Sequence, residues 1–150
     1  MGLNRDFVGR EFPVPDVYEI GREHIRQFAA AIGDLNPLYT DPEAARSAGH
    51  RDVVAPPTFL TVLAFRFADQ GPMADPELGL DYTRLVHGAQ VFTHQRPVVA
   101  GDRLRFSARV DSIRGAGGNE ILTMVQDVTD ESGGPVATLT MTVVIRGGED

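Results

Sequence analysis

AIGDLNPLYTDPEAARSAGHRDVVAPPTF, residues 31–59, joins one predicted helix to another. Just before it, residues 22–32 carry apolar side chains at the i, i+3, i+4 and i+7 spacing of a helix that packs on one side. Gly33 ends that helix, and Asp34 and Asn36 follow in a turn fixed by a proline. The sequence therefore predicts two short polar side chains held at the end of a helix.

The second half of the stretch predicts a short helix and then a central one. Residues 40–43 (TDPE) combine a helix cap with a proline in the first turn, and Gly49 closes this helix. Two prolines and Thr58 then introduce residues 58–70, which are apolar on nearly all sides. Such a composition is typical of a helix surrounded by protein, so we predict a long central apolar helix.

The remainder of the chain has the pattern of an antiparallel sheet. Residues 103–110 alternate between polar and apolar side chains, as in a strand with one buried face, and glycine-rich turns separate the later strands. Helices first and antiparallel strands afterwards predict an α+β fold, a sheet wrapped around the central helix. An edge or outer face of this sheet is expected to meet a second subunit. The predicted strands are residues 84–95, 103–110, 121–130 and 136–145, with 17–20 as a possible first strand.

Composition excludes several classes of protein. The 150 residues suit a single domain, residues 1–150, with a core of ordinary size. Cysteine and lysine are absent from the sequence, which excludes disulfides, zinc fingers and Schiff-base chemistry. A net charge of −7 with dispersed arginines argues against nucleic-acid binding. No run approaches the ~18 apolar residues of a membrane span, so we expect a cytoplasmic protein.

Asp34, Asn36 and Tyr39 form the strongest candidate constellation. A carboxylate, an amide and a phenol in one turn could position water and a substrate carbonyl for general acid–base chemistry. The alternative is that the two short side chains satisfy amides of their own loop, which is their commoner role in turns. Both interpretations remain open at this point.

A second group of candidates lies on the strand after the central helix. His87 could face a site, with Gln90 beside it, and Gly88 would allow a ligand to approach the backbone closely. In a regular strand His87 and His94 would point to opposite faces, which would prevent them from sharing a metal ion. His24 is predicted on the exposed side of its helix. We expect no metal site.

Several motifs together resemble one known family. GDLNPLY, residues 33–39, is similar to the Gly-Asp-x-Asn-Pro-Leu-His signature of R-specific enoyl hydratases and MaoC-like dehydratases, which have the hot-dog fold. Over residues 5–145 the chain resembles the FAS1-like, MaoC N-terminal dehydratase family, including HadA-type subunits. The further motifs are FVGREF (7–12), TDPEAARSAGHRDVVAPPTF (40–59), LGLDYTRLVHGAQVF (78–92) and RPVVAGDRL (96–104).

The resemblance implies a (3R)-hydroxyacyl thioester dehydratase of fatty-acid or related acyl metabolism. Its substrate would be carried on acyl carrier protein or coenzyme A, with no other cofactor. Asp34 matches the catalytic aspartate and Asn36 the neighbouring amide of the signature. Tyr39, however, stands where the signature has histidine, and a phenol with a reference pKa of about 10 is a poor base at neutral pH.

A second departure from the family pattern lies at the head of the central helix. Pro56-Pro57 replaces a His-Gly pair, and a proline has no N–H to donate to a thioester oxygen. Thr58 or Phe59 is then the next position whose amide could serve. The arginines available for a carrier phosphate are Arg46, Arg51, Arg84 and Arg96.

Three hypotheses follow from the resemblance. The first is a substrate-binding, non-catalytic subunit that forms a heterodimer with a catalytic MaoC-like hydratase subunit, since Tyr39 and Pro57 replace catalytic groups. The second is a self-sufficient homodimeric dehydratase that uses Asp34 and His87. The third is an acyl-thioester binding protein without a reaction of its own.

Overall fold

A computed structural model describes residues 2–148, and over this range it is an α+β fold with a six-stranded antiparallel sheet. The predicted fold class is confirmed. The strands are β1 (Glu11–Pro13), β2 (Tyr18–Glu19), β3 (Leu85–His94), β4 (Arg103–Ala116), β5 (Asn119–Asp130) and β6 (Pro135–Ile145). The α-helices are α1 (Arg22–Ala31), α2 (Pro42–Ser47) and α3 (Thr61–Arg66), with 3-10 turns at Arg5–Phe7, Pro37–Tyr39, Ala68–Gln70, Pro72–Ala74, Pro76–Leu78 and Tyr82–Arg84.

The sheet has the order β1-β4-β5-β6-β3, with β2 also paired to β4. Strands β4, β5 and β6 form the predicted meander, and the predicted alternation of β4 is confirmed by its burial pattern. Strand β3 joins at β6, not beside β4, and lies at the end of the strand order. The N-terminal lead-in, predicted as extended, includes a 3-10 turn that buries Phe7 and a strand that pairs with β4.

The two predicted helices of the opening stretch are confirmed. Helix α1 ends at Ala31, two residues before the predicted Gly33, which has a φ of 72°. In α2 the Asp41 carboxylate accepts a hydrogen bond of 3.0 Å from the amide of Glu43, and a proline occupies the first turn. Local capping thus fixes both ends of the segment that carries the signature motif.

The central helix is shorter than predicted. Helix α3 has six residues, because the turns before it close with i→i−3 hydrogen bonds such as Val62 N–H to Phe59 O at 2.9 Å. The core side of the predicted segment is as expected, since Phe59, just before α3, and Leu63, within α3, are both 0% exposed and pack against the sheet. Phe65 is 79% exposed, so the segment is not surrounded by this chain on all sides.

A β-bulge in β3 reverses the predicted facing of its histidines. His87 lies opposite Val143, but the next pair along the ladder is Ala89 opposite Thr142, so Gly88 is an extra residue. Because one residue is inserted between them, His87 and His94 both lie on the inner face of the sheet. The prediction of opposite faces assumed a regular strand and is wrong.

Candidate functional site

The signature turn is organised by its own side chains. The Asp34 carboxylate accepts a hydrogen bond of 3.2 Å from the Asn36 amide, and the Asn36 side-chain oxygen accepts one of 3.1 Å from the Leu38 amide. Asn36 thereby caps the 3-10 turn that ends at Tyr39. The capping role that turn chemistry predicts is therefore present, and it fixes the position of the tyrosine.

Tyr39 is half-buried and packs against the hydrophobic core. Burial raises the pKa of its phenol above the ordinary value of 10.0, and the negative charge of Asp34 raises the pKa further. At neutral pH the phenol therefore keeps its proton. It can donate a hydrogen bond, but it cannot act as a base.

Tyr39 lines a cavity of about 390 Å³, which we call the proline cavity. In its wall a His94 ring nitrogen, Nε2, lies 2.8 Å from the Pro57 carbonyl oxygen. Since the carbonyl can only accept, Nε2 carries the proton, and a neutral ring then has Nδ1 as an acceptor. The lining residues are Leu38, Tyr39, Val54, Ala55, Pro56, Pro57, Leu60, His94, Gln95, Arg96, Pro97 and Val98.

His94 was not selected from the sequence as a site residue. Only the bulge at Gly88 puts His94 on the same face of the sheet as His87. An isolated glycine within a strand is a sequence signal of such a bulge, but it does not establish that one forms. Gly88 itself is exposed, and neither cavity lining found within residues 2–148 includes it.

The backbone at the head of α3 offers few donors. Pro57 has no N–H, and the Phe59 amide already donates to the Pro56 carbonyl at 2.9 Å. Of the two amides considered from the sequence, Phe59 is therefore engaged. Thr58 is exposed at the surface.

A buried carboxylate organises the rim of the proline cavity. Asp102 is 6% exposed and accepts hydrogen bonds from Arg51 at 3.0 Å and from Arg96 at 2.9 Å. It also accepts one of 2.9 Å from the Val99 amide. Two guanidinium groups on one carboxylate leave a net positive charge beside the cavity, which suits an anionic ligand group.

A second cavity, of about 340 Å³, lies between α3 and the inner face of the sheet, and we call it the sheet cavity. Its wall is mainly apolar and includes His87, Gln90 and Gln126 as polar members. The apolar members include Phe65, Phe67, Met73, Leu85, Phe106, Met124, Met141 and Val143. Gln126 was missed from the sequence, although it interrupts the apolar alternation of β5.

The predicted pair Asp34 and His87 is not brought to one cavity of this chain. His87 lines the sheet cavity, and its Nε2 lies 3.1 Å from the Ala89 carbonyl oxygen. Tyr39, which follows Asp34 in the signature turn, lines the proline cavity. Along β3 the two cavities are separated by the roughly 20 Å between His87 and His94.

His24 differs from its predicted exposed position. It is half-buried, its ring centroid lies 5.2 Å from that of Phe59, and its Nδ1 is hydrogen-bonded to the Tyr18 hydroxyl. Within residues 2–148 no group of three or more histidine and carboxylate side chains could hold a metal ion. No helix in that range is long and apolar enough to cross a membrane.

The curved antiparallel sheet with a helix on its inner face is the hot-dog fold of MaoC-like proteins, as solved structures bear out. The chain belongs to the family described as the FAS1-like, dehydratase domain region, which matches residues 6–139. A UPF0336 protein from Parafrankia sp. is 55% identical over 148 residues, which are 98% of this chain and 97% of that protein.

Two solved structures are similar over most of the chain. A MaoC-like dehydratase has 32% identity and a TM-score of 0.86 over 95% of this chain, which spans 43% of that chain's length. A chain of the HadBC (3R-hydroxyacyl-ACP dehydratase) complex from Mycobacterium tuberculosis has 30% identity and a TM-score of 0.83. That match covers 95% of this chain and 99% of the other.

Proposed function

We propose that this chain is the substrate-binding, non-catalytic subunit of a heteromeric (3R)-hydroxyacyl thioester dehydratase, of the HadA type. One observation carries the proposal: a tyrosine whose pKa is raised occupies the histidine position of the signature, in the wall of a ligand-sized cavity. Membership of the dehydratase family and the similarity to a subunit of the HadBC complex support it.

The chemistry of dehydration explains why Tyr39 matters. A base removes the proton at C2 of the acyl chain, an acid protonates the hydroxyl leaving C3 as water, and donors hold the thioester oxygen. Tyr39 can supply a hydrogen bond but not the base, and Pro57 cannot supply a backbone donor. The groups that remain can orient a substrate, so the partner would supply the proton transfers.

We assign substrate holding to Tyr39 and Pro57, which line the proline cavity, and to Gln90, which lines the sheet cavity. Asn36 caps the turn that ends at Tyr39, and Thr58 and Gly88 lie beside these positions outside both linings. The carrier, acyl carrier protein or coenzyme A, presents phosphate groups next to the thioester end. Arg51 and Arg96, which share the Asp102 carboxylate at the rim, are placed to meet such a phosphate. Asp102 holds both guanidinium groups in position, so the rim needs little ordering when the carrier binds.

Strand β3 provides a surface for the partner subunit. It is ten residues long, it ends the strand order of the sheet, and its outer face exposes Val86 and Val91 at 44% and 53%. An unpaired edge of this kind favours pairing with another chain. The HadBC structure is a complex of this class of subunit, which supports a heterodimer.

The test is hydration of a 2-enoyl thioester, followed by its absorbance, first by the purified chain and then after adding a hydratase subunit with an intact Asp-His pair. We expect no turnover by the chain alone and a gain on mixing. Turnover by the isolated chain that Asp34→Asn abolishes would refute the proposal. Asp41→Asn is the matched control, because Asp41 caps a neighbouring turn in the same way as Asp34.

Saturable thioester binding without a gain on mixing would instead support the third hypothesis, an acyl-thioester binding protein. Isothermal titration of the chain with an acyl-CoA separates this result from an inactive preparation, because an unfolded chain would bind nothing. The mixing assay and the titration together therefore distinguish the subunit from the simple binder.

The second candidate is a self-sufficient homodimeric dehydratase that uses Asp34 and His87. The bulge at Gly88 favours it, because the bulge turns His87 to the inner face of the sheet and into a cavity. It predicts that His87→Ala lowers kcat roughly 10²–10⁴-fold, as loss of an acid–base group does. The matched control is His50→Ala, in a loop away from both cavities. Normal turnover of His87→Ala would exclude this candidate.

A further inference from the structure

Two side-chain amides in the mainly apolar sheet cavity each have one buried atom without a hydrogen-bond partner among residues 2–148. The Gln126 side-chain oxygen is buried, in a residue that is 4% exposed, and accepts no hydrogen bond from any described residue. The Gln90 side-chain nitrogen is likewise buried and donates to no acceptor within residues 2–148. Both residues line the cavity, so any ligand there contacts a polar pair as well as an apolar wall.

If the ligand is a plain hydrocarbon, these amide atoms stay without hydrogen bonds when it binds, which costs free energy. A buried donor or acceptor loses its hydrogen bonds to water, and without a partner no other hydrogen bond replaces them. The inner face of β5 is otherwise apolar around Gln126, with Met124 and Val128 two residues away on either side. A leucine or methionine at these positions would suit a methylene chain better than glutamine does.

The register of the sheet puts the two amides on its inner face, two strands apart, where both line one cavity. Gln90 pairs with Met141 on β6, whereas Gln126 pairs with Leu139 on the same strand. Their Cα atoms are thus separated by two strand spacings and one side-chain repeat, about 12 Å. Glutamine side chains that extend from the same face at this separation can both reach one small polar group of a ligand held between them.

The sheet cavity is also remote from the reacting end of a thioester. Gln90 precedes His94 of the proline cavity by four strand residues, or about 13 Å. A group held at Gln90 is therefore distinct from the 3-hydroxyl that would be lost in dehydration. It lies farther along the acyl chain.

We infer, on the basis of the proposed function, that the substrate is an acyl thioester with a hydroxyl group part-way along its chain. A hydroxyl both donates and accepts, so it can accept from the Gln90 amide nitrogen and donate to the Gln126 oxygen. The apolar wall contributed by Phe106, Met124 and Met141 holds the methylenes on either side. Gln90 and Gln126 then determine specificity, and neither touches the reacting atoms.

The test compares affinities for a saturated long-chain acyl-CoA and for a series with one hydroxyl group at successive positions. Each is titrated calorimetrically into the full chain. We expect one position in the series to bind about tenfold more tightly than the unsubstituted chain, the effect of one or two added hydrogen bonds. Gln126→Met and Gln90→Met should each remove this preference and tighten binding of the unsubstituted chain.

The control is Gln27→Met, an exposed position on α1, which should leave the preference intact. Gln90 lies on an edge strand and is only half-buried, so Gln90→Met reports on the inference even if Gln126→Met fails to fold. Equal affinity for all chains overturns the inference and leaves the proposed function standing. No binding of any acyl chain, presented on coenzyme A or on acyl carrier protein, contradicts the proposed function and the inference together.

Discussion

The proline cavity and the sheet cavity adjoin the same short helix but differ in construction. Leu60 lines the first, whereas Thr61 and Ala64 line the second. The proline cavity is built from loops, with a histidine, a tyrosine and a charged rim. The sheet cavity is built largely from strands, and its wall is apolar apart from a few polar side chains, among them His87 and two glutamines. The contrast suits a ligand that is polar at one end and apolar along its length.

The difference also teaches where sequence patterns are informative. Tyr39 and Pro57 belong to motifs whose geometry is set within a few residues, so the sequence alone identifies both positions. The sheet cavity gathers side chains from α3, the loop after it and strands β3 to β6. Its composition therefore depends on which strands become neighbours.

The largest expected effect concerns the apolar segment between the cavities, which comprises α3 and the turn before it. Phe59→Ala should lower the free energy of unfolding by about 3–5 kcal/mol, because Phe59 is 0% exposed and its loss leaves a cavity in the core. Phe65→Ala, in the same segment but 79% exposed, is the matched control and should cost well under half as much. Urea denaturation of both variants measures this. Equal losses would mean that Phe65 is buried against a second subunit.

The next effect concerns the rim of the proline cavity. Asp102→Asn should cost about 2 kcal/mol, since a buried carboxylate that accepts from Arg51, Arg96 and the Val99 amide is removed. Glu43→Gln, in an exposed pair with Arg46, should cost no more than about 0.5 kcal/mol. Thermal denaturation compares the two variants. A negligible cost at Asp102 would show that the rim does not depend on this carboxylate.

A smaller effect comes from the ion pair between Arg22, at the start of α1, and Asp52, in the loop before the proline cavity. The hydrogen bond from Arg22 lowers the pKa of Asp52 from 3.8 to about 2. Because the Asp52 pKa is lower in the folded chain than in the unfolded chain, the ionised carboxylate stabilises the fold at pH values above the unfolded-state pKa. This contribution is lost as pH falls from about 4 towards 2. Asp52→Asn should therefore cost up to about 1 kcal/mol at neutral pH. Near pH 2 the variant and the parent should unfold alike.

The smallest effect is the titration of Tyr39. Its raised pKa means that the neutral phenol is favoured in the folded state, so this contribution to stability is present below pH 10 and lost as pH rises through the folded pKa. Asp34→Asn should lower the pKa of Tyr39, because it removes a nearby negative charge. The measurement is ultraviolet absorbance as a function of pH. Subtracting the spectra of the Tyr39→Phe variant leaves the titration of the Tyr39 phenol alone. An unchanged titration after Asp34→Asn would show that the charge of Asp34 does not affect the pKa of the Tyr39 phenol.

Much of the architecture could be predicted because it is local. The ends of α1 and α2 follow from a glycine, an aspartate cap and a proline, and the meander follows from short glycine-rich turns. The length of α3 could not be predicted, since an apolar run is compatible with a helix or with successive tight turns. Only packing under the sheet decides between them.

In the candidate site, too, the residues whose geometry is local could be predicted and those placed by tertiary packing could not. Asp34, Asn36 and Tyr39 come from one motif, and their turn forms as its residue types require. His94 was passed over, because its facing depends on the bulge at Gly88 in a neighbouring part of the strand. Gln126 was missed even though it breaks an apolar alternation, since the sequence does not reveal which cavity its strand would line.

By itself the sequence determined the family, the fold class, the capped helices and the loss of the signature histidine at position 39, all of which depend on residue type and short-range spacing. Tertiary structure alone decided that β3 lies beside β6, that its bulge turns His87 and His94 to the inner face, and that two amides share one apolar cavity. These features arise from pairing between distant strands, and such pairing is set by the packing of the whole chain.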